Sequence, residues 1–232
     1  MIRRSFFVVL WLGFVLYAFG VAPPDQPDTL EVIQRLSTGN WEGLNPAIVA
    51  LFNLMGIWPM VYACLALIDG HRQPVPAWPF VLGSFGLGAF LLTPYLALRQ
   101  PNATFMPPKS RLLTVVDSRW LGLSLLIGAL VLISYGVSAG DWADFVQQWR
   151  TSRFIHVMSL DFCLLWLLVP SLLGDDMVRR GWKSPLVFWL TVAIPLVGAA
   201  AYLTFRPNLP QDADASEQDP MIKGPAEGPN TA

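Results

Sequence analysis

Apolar residues are concentrated in six stretches of about 20 residues, and polar segments separate these stretches. A helix of about 20 residues crosses the hydrocarbon core of a bilayer, which is about 30 Å thick. The stretches do not alternate polar and apolar side chains, as the strands of a membrane barrel would. The pattern predicts an all-α fold, a polytopic membrane helical bundle with about six transmembrane helices. The predicted spans are residues 5–22, 46–68, 78–98, 120–139, 154–173 and 185–205.

The predicted transmembrane domain covers residues 1–206, and its first span has two interpretations. Arg3 and Arg4 precede the apolar run, as in a secretory signal peptide, but the run is longer than the usual apolar region of about 7–15 residues. This length favours a retained helix. After residue 206 the chain becomes acidic and proline-rich, so we predict that residues 207–232 form a disordered tail.

The composition supports a membrane location. Hydrophobic residues make up 54% of the chain and charged residues 13%, compared with about 45–50% and about 25% in soluble domains. So few charges could not cover the apolar surface of a water-soluble enzyme. The net charge of -1 provides no basic field for nucleic acid. The predicted partner is the lipid bilayer, without nucleic acid. Cys64 and Cys163 lie in apolar stretches and are typical of small buried residues.

The distribution of basic residues raises the question of an internal repeat. With six spans, seven lysines and arginines fall on one side of the membrane and eight on the other, so the usual cytoplasmic excess is missing. Two inverted three-helix repeats would explain this balance. The alternative is a chance similarity between two helical hairpins. A shift of 107 residues aligns Asp69 with Asp176, Tyr95 with Tyr202 and Arg99 with Arg206.

Asp161 is the most informative candidate for a functional site because it lies well inside the fifth span. An ionised carboxylate at that depth requires a partner or water. A speculative polar binding cluster also includes His156, Arg153 and, if the second and fifth spans pack together, Asn53. The cluster has two interpretations: a mid-depth site for a proton, cation or substrate, or a carboxylate that joins helices through hydrogen bonds. A lone interfacial histidine is typical of a hydrogen-bonding anchor.

Motifs of known catalytic and metal sites are absent from the sequence. There is no HExxH motif of a zinc protease and no GxSxG motif of a serine hydrolase. The glycine-rich run at residues 83–88 lies inside an apolar stretch and favours close helix packing. The acidic turn at residues 174–181 lacks the further carboxylates of a magnesium site, and we interpret it as a charged turn between two spans. We assign no catalytic residue and no metal ligand.

Residues 52–59, 84–90 and 152–162 carry a resemblance to known proteins. They are similar to segments of a family of uncharacterised multi-pass membrane proteins of cyanobacteria and plastids. Asp161, residues 176–181 and residues 195–203 also resemble a broader bacterial family of small membrane proteins. The first resemblance implies an integral, multi-pass protein of a photosynthetic membrane, the cyanobacterial or plastid thylakoid. It also implies chlorophyll or carotenoid as candidate bound groups.

Three functions agree with these observations. The first is an integral membrane accessory or assembly protein that packs against photosystem or pigment-protein complexes. The second is a small transporter with a mid-membrane polar site at Asp161, which requires a water-accessible cavity reaching Asp161 and Asn53. The third is an intramembrane enzyme that modifies a carotenoid or another isoprenoid lipid. We rank them in this order because no reaction centre is recognisable in the sequence.

Overall fold

The computed structural model describes residues 2–70, 73–102 and 110–209, and these residues form helices without strands. Most of the predicted tail, residues 210–232, lies outside these ranges. The first half of the molecule contains a long helix, a short helix, a second long helix and a pair of ten-residue helices. These are α1 (Ile2–Gly20), α2 (Thr29–Thr38), α3 (Pro46–Asp69), α4 (Trp78–Leu87) and α5 (Ala89–Leu98).

The second half has the same order of elements and follows the short connecting helix α6 (Arg111–Val116). Its second long helix is interrupted at Pro170, where one helix continues directly into the next. The elements of this half are α7 (Arg119–Ala139), α8 (Trp142–Thr151), α9 (Arg153–Leu168), α10 (Pro170–Arg179), α11 (Pro185–Ala193) and α12 (Val197–Phe205).

Four helical segments within the described part of the chain are long and apolar enough to cross a membrane: α1, α3, α7 and the continuous α9–α10 segment. The chain is therefore an integral membrane protein. The other two predicted spans, residues 78–98 and 185–205, are pairs of helices of 9 or 10 residues. Each of these helices rises only about 15 Å, which is half of the bilayer core. The prediction of six membrane-crossing helices is therefore not confirmed: four segments of the described chain are candidates to cross a membrane.

The predicted third span is a hairpin that enters and leaves the bundle at the same end. Gly88 reverses the chain between α4 and α5 with a backbone φ of 47°, a conformation that favours glycine. The two helices lie side by side, because the ring centroids of Phe80 and Tyr95 are 5.7 Å apart. Gln73, before α4, and Gln100, after α5, exchange hydrogen bonds of 2.7 and 2.8 Å. We call α4 and α5 hairpin 1 and Gly88 its tip.

The predicted sixth span is likewise a hairpin, hairpin 2, formed by α11 and α12. Its tip is at Leu196, which has a φ of 57°. At its base the ring of Trp182 stacks on that of Tyr202, with centroids 5.8 Å apart. Gly198 permits close approach of the two helices, because a Cβ on it would lie 2.3 Å from the carbonyl oxygen of Thr191. Both hairpins are re-entrant: they reach into the bundle without crossing it.

The bases of both hairpins and the last residues of α3 and α10 meet at one end of the bundle, which we call the ionic face. Here Arg179 donates hydrogen bonds to Asp69 at the end of α3, at 2.7 Å, and to Asp176 in α10, at 3.2 Å. Asp69 and Asp176 are one of the pairs that the 107-residue shift aligns. Inverted halves would place them on opposite sides of the membrane. The inverted arrangement is therefore not confirmed, because α3 and α10 end at the same face and both halves point the same way.

The opposite end of the bundle, the cavity face, carries the short helices α2 and α8. Asn45 starts α3: its side chain accepts a hydrogen bond from the backbone of Ala47 (2.9 Å) and donates one to Asp144 of α8 (2.7 Å). Trp41 and Trp142 flank the short helices and are partly exposed. Indole rings prefer the headgroup layer of a membrane, so this face lies at the second membrane surface.

This arrangement changes the distribution of basic residues. Among the described residues, nine lysines and arginines lie at the ionic face and three at the cavity face. Six spans would give a balanced distribution of these residues. The observed distribution is unequal because residues 110–119 and 179–184 lie at the same end as Arg3. The nine are Arg3, Arg4, Arg99, Arg111, Arg119, Arg179, Arg180, Lys183 and Arg206, and the three are Arg35, Arg150 and Arg153.

Candidate functional site

A cavity of about 340 Å³ lies between the tip of hairpin 1 and the N-terminal half of α9. Helices α1 and α3 complete its wall. This volume falls within the range of about 300–1,000 Å³ that small-molecule sites occupy. Apolar side chains form most of the wall, among them Phe52 and Met55 of α3, Phe90 of α5, and Phe154, Val157 and Met158 of α9.

Asp161 provides the polar group at the inner end of this cavity. Its Oδ1 atom accepts a hydrogen bond of 2.8 Å from the backbone N–H of Ala89, the first residue of α5. The carboxylate therefore caps this helix, at the end where the helix dipole favours a negative charge. Asp161 is only 6% exposed and lines the cavity. Its Oδ2 atom has no hydrogen-bond donor among the described residues, so an acceptor is left for a ligand.

Gly88 allows the hairpin tip to approach this carboxylate. A Cβ on Gly88 would lie 1.8 Å from Oδ2 of Asp161, and the positive φ of Gly88 disfavours any other residue. The glycine-rich run at residues 83–88 was predicted to be the packing surface of a continuous helix. It contains the turn of a hairpin instead. The sequence signal for this role is a glycine in the middle of an apolar stretch, which is the same signal that helix packing gives.

Arg153 stands at the mouth of the cavity, eight residues before Asp161 on α9, a distance of about 12 Å along the helix. Its guanidinium pairs with Asp25 at 2.7 Å and donates to the carbonyl of Pro23 at 3.0 Å. Its backbone N–H donates to the carbonyl of Pro24 at 3.2 Å. Arg153 therefore fastens the segment after α1 to α9, and its charge is already paired.

His156, a predicted member of the polar cluster, joins three helices beside the cavity. Its Nδ1 atom donates to the carbonyl oxygen of Trp149 and its Nε2 atom accepts from the hydroxyl of Tyr17, both at 2.8 Å. The ring also packs on the indole of Trp149, with centroids 4.3 Å apart. Both ring nitrogens are therefore engaged, and His156 connects α1, α8 and α9.

Asn53, the fourth predicted member, has no place in the cavity wall. Its side chain donates to the carbonyl oxygen of Val49 in its own helix at 2.8 Å. Helices α3 and α9 do pack together, but Phe52 and Met55 of α3 face the cavity, whereas Asn53 does not. The structure thus places Asp161 and Arg153 on one cavity wall and His156 and Asn53 outside it.

The cavity exists because the two halves pack differently. The first long helix of the second half, α7, lies directly on α3, since a Cβ on Gly136 would lie 2.6 Å from Cβ of Ala50. By the order of elements, α7 corresponds to α1 and α3 corresponds to α9, and α1 and α9 flank the cavity. There the rings of Tyr17 and His156 stand between the two helices, with centroids 5.8 Å apart. Large side chains at this contact hold the helices apart, and the space below them is the cavity.

A second polar cluster, the ionic network, occupies the ionic face. Among the described residues it combines four aspartates with four arginines. In each half, an aspartate in the last turn before the hairpin accepts a hydrogen bond from a hairpin tyrosine: Asp69 from Tyr95 at 2.9 Å, and Asp176 from Tyr202 at 2.8 Å. The members are Asp69, Asp117, Asp175, Asp176, Arg99, Arg179, Arg180 and Arg206.

The ionic network fixes the bases of both hairpins. Arg180 pairs with Asp117 at 2.6 Å and with Asp176 at 2.8 Å. Burial by itself would lower the pKa of Arg180, but these two carboxylates raise it above its ordinary value, so the arginine stays charged. Residues 174–181 were predicted to be a charged turn between spans. Most of them form the end of α10 instead, and they supply Asp175, Asp176, Arg179 and Arg180 to this network.

Further chemistry at these sites is limited. Within the part of the chain that the structure describes, no three His, Cys, Asp or Glu side chains come together to hold a metal ion. Cys64 is buried as predicted, whereas Cys163 is exposed on the outside of the bundle, and both are free thiols. Comparisons with models of protein families, with curated proteins and with solved structures found no match to this chain. Function is therefore inferred from the cavity.

Proposed function

We propose that the protein is a membrane carrier that binds a small molecule in the cavity ending at Asp161. This is the second of the three functions that the sequence favours. The observation that supports it is the cavity itself: an apolar chamber that opens at one face and ends at a buried carboxylate with a free acceptor atom. An accessory protein that only packs against a larger complex has no need of such a chamber.

Two features of the cavity wall suit a ligand that arrives from the membrane. Phe85 and Leu87, at the tip of hairpin 1, and Phe19 of α1 line the cavity and are about half exposed or more. The wall is therefore open to the lipid beside the tip. Toward the ionic face Trp58 and Leu165 are completely buried, so the cavity is closed on that side.

The attachment of hairpin 1 suits a gate. Its base is held by the ionic network through Tyr95 and Arg99. Its tip contacts α9 through the hydrogen bond between Ala89 and Asp161. The tip also contacts α1, since Trp11 donates to the carbonyl oxygen of Phe90 at 2.8 Å, but no ion pair among the described residues holds it. Carriers often bind substrates at discontinuous helices near the bilayer midplane.

We infer that the two halves derive from a duplication in the same orientation, with one binding site in the whole. The shift that aligns Asp69 with Asp176 and Arg99 with Arg206 aligns Asp161 with Leu54, which is buried. The position in the first half that corresponds to Asp161 is therefore filled by an apolar side chain. The excess of basic residues at the ionic face favours the cytoplasmic or stromal side for that face, so the cavity opens to the other side.

The thylakoid location, an accessory role toward photosystems and a bound chlorophyll or carotenoid stay predictions from the resemblance. An enzyme acting on a carotenoid or another isoprenoid lipid also stays an alternative, and it would use the same cavity. Each of these functions requires a ligand or partner to be identified, whereas the carrier requires first that the cavity accept a membrane-borne molecule.

Photolabelling in lipid nanodiscs tests the proposal. A small apolar aryl diazirine is added, and labelled peptides are mapped by mass spectrometry. We expect enrichment of label at Val157 and Met158 over the lipid-exposed Val131 of α7. Gly56→Phe should abolish the enrichment, because Gly56 lines the cavity and a side chain there points into open space. Gly13→Phe is the matched control, with equal free space on α1 away from the cavity. Equal labelling of the cavity and the outer surface would overturn the proposal.

A further inference from the structure

We propose that the ligand of this cavity is an amphipathic molecule with an apolar body and one uncharged hydroxyl group, and that the hydroxyl donates a hydrogen bond to Asp161. This inference rests on the proposed function, because it names the class of molecule that the cavity holds. The body lies among the aromatic and methionine side chains, and the hydroxyl lies at the inner end.

The distribution of polar groups along the cavity orients the ligand. Polar side chains stand at its two ends, with Arg153 and Asp25 at the mouth and Asp161 at the inner end. The two mouth residues neutralise each other at 2.7 Å. The wall between the ends is mostly apolar, and in it Phe52 and Phe154 pack against each other with ring centroids 6.4 Å apart. The hydroxyl of Ser84, which also lines the cavity, donates its proton to the carbonyl oxygen of Val81 at 2.7 Å. A ligand therefore needs one polar group, at the end that lies against Asp161.

The inner end requires a hydrogen-bond donor. A carboxylate only accepts hydrogen bonds, and Oδ1 of Asp161 is already bonded to the N–H of Ala89. The Oδ2 atom has no donor from the described residues, and Asp161 lines the cavity, so a ligand there can donate a hydrogen bond to Oδ2. An alkane or an ether leaves this atom without a donor, whereas a hydroxyl supplies one.

The charges around Asp161 favour a neutral donor over an ammonium group. The carboxylate caps the N-terminus of α5, whose dipole already balances part of its charge. The same positive helix end opposes a cation placed beside it. Arg153 adds a further positive group to the lining of the cavity. A hydroxyl satisfies Oδ2 without carrying a charge into the bilayer.

Competition against the diazirine label tests this class of ligand. Octanol, its isomer heptyl methyl ether and octylamine are compared at equal concentrations in the lipid phase, and the readout is the label at Val157 and Met158. We expect octanol to displace the label at about one tenth of the ether concentration, because one hydrogen bond to a carboxylate distinguishes them. Octylamine should compete less well than octanol.

Asp161→Asn is the decisive variant because it keeps the bond to Ala89. Its Oδ1 atom still accepts from that N–H, but Nδ2 now faces the cavity as a donor. An ether accepts from this group as well as an alcohol does, so the preference for octanol should fall to about one. Equal competition by octanol and the ether in the unchanged protein would overturn the proposal of a hydroxyl ligand, but it would not contradict the carrier function. Strongest competition by octylamine would overturn it in favour of a cation. Failure of the carrier proposal is distinguishable from both outcomes, because the diazirine would then not be enriched at Val157 and Met158 at all.

Discussion

The carboxylate of Asp161 accepts a hydrogen bond from the backbone N–H of Ala89 at 2.8 Å, and this bond joins the tip of hairpin 1 to the second half of the molecule. It places a buried carboxylate, a helix N-terminus and an apolar cavity at one point inside the membrane. The structural and the functional interpretation of Asp161 therefore apply to different oxygen atoms. Oδ1 joins helices, and Oδ2 is left to a ligand.

The first prediction concerns the glycine at this contact. Gly88→Ala places a Cβ 1.8 Å from Oδ2 of Asp161 and imposes a side chain on a positive φ, a strain of about 1–3 kcal/mol before any clash. We expect a lower midpoint of thermal unfolding and loss of cavity photolabelling. Gly86→Ala is the control, because a Cβ on Gly86 meets nothing within 4 Å. Unchanged stability and labelling in Gly88→Ala would show that the tip does not contact Asp161.

The second prediction concerns the number of membrane crossings. Ser37→Cys in α2 and Thr114→Cys in α6 should react with a membrane-impermeant thiol reagent from opposite sides of the membrane, because four crossings place α2 and α6 at different faces. Six crossings place both residues on the same side. Both positions are exposed, and Cys64 and Cys163 are first replaced by alanine. Labelling of both residues from one side would contradict the re-entrant hairpins.

The third prediction concerns the ionic network. Arg179→Leu removes the bridge between Asp69 and Asp176 and takes one positive charge out of a buried cluster. We expect a loss of about 3–5 kcal/mol of unfolding free energy. Addition of Asp69→Asn should recover part of this loss, since it restores the charge balance. Lys183→Leu, at an exposed position of the same face, should change stability by at most about 0.5 kcal/mol. An Arg179→Leu variant as stable as Lys183→Leu would show that the bridge does not form.

The fourth prediction concerns the packing that makes the two halves different. Gly136→Leu should separate α7 from α3, because even a Cβ at Gly136 lies 2.6 Å from that of Ala50. We expect a loss of about 1–3 kcal/mol from overpacking. Gly128→Leu is the comparison: it lies on the same helix, and its nearest contact is the flexible end of Ile57 at 3.6 Å. Equal thermal stability of the two variants would exclude close packing at Gly136.

The helices and the aligned polar pairs of the ionic network could be predicted from the sequence. Whether an apolar stretch crosses the bundle or turns back as a hairpin could not. Apolar composition alone predicts helices in lipid. The shift of 107 residues aligns Tyr95 with Tyr202 because both end a hairpin beside an aspartate. A stretch of 21 apolar residues has the same composition whether it crosses the membrane or turns back at a tip such as Gly88. The inverted orientation followed from counting each such stretch as a crossing.

The site was predicted only in part for a similar reason. Asp161 stands out because a carboxylate is rare inside an apolar span. Its contact with Ala89 is made across 72 residues of chain and depends on the fold of hairpin 1. His156 is near Asp161 in sequence, but the helical turn directs it to Tyr17 and Trp149 instead. Spacing along one helix therefore identifies the polar residues but not which of them share a cavity.

The accessibility of Val157 to water-soluble reagents is the most direct measurement of the central claim, a cavity that opens at the cavity face and ends at Asp161. Val157→Cys is made in the cysteine-free background, with Leu167→Cys as the control on the outer, lipid-exposed side of the same helix. The structure predicts that an impermeant thiol reagent modifies Val157→Cys only from the side that labels Ser37→Cys, that Gly56→Phe blocks this reaction, and that Leu167→Cys stays unmodified. No reaction at Val157→Cys, or a reaction from the ionic face, would contradict the cavity.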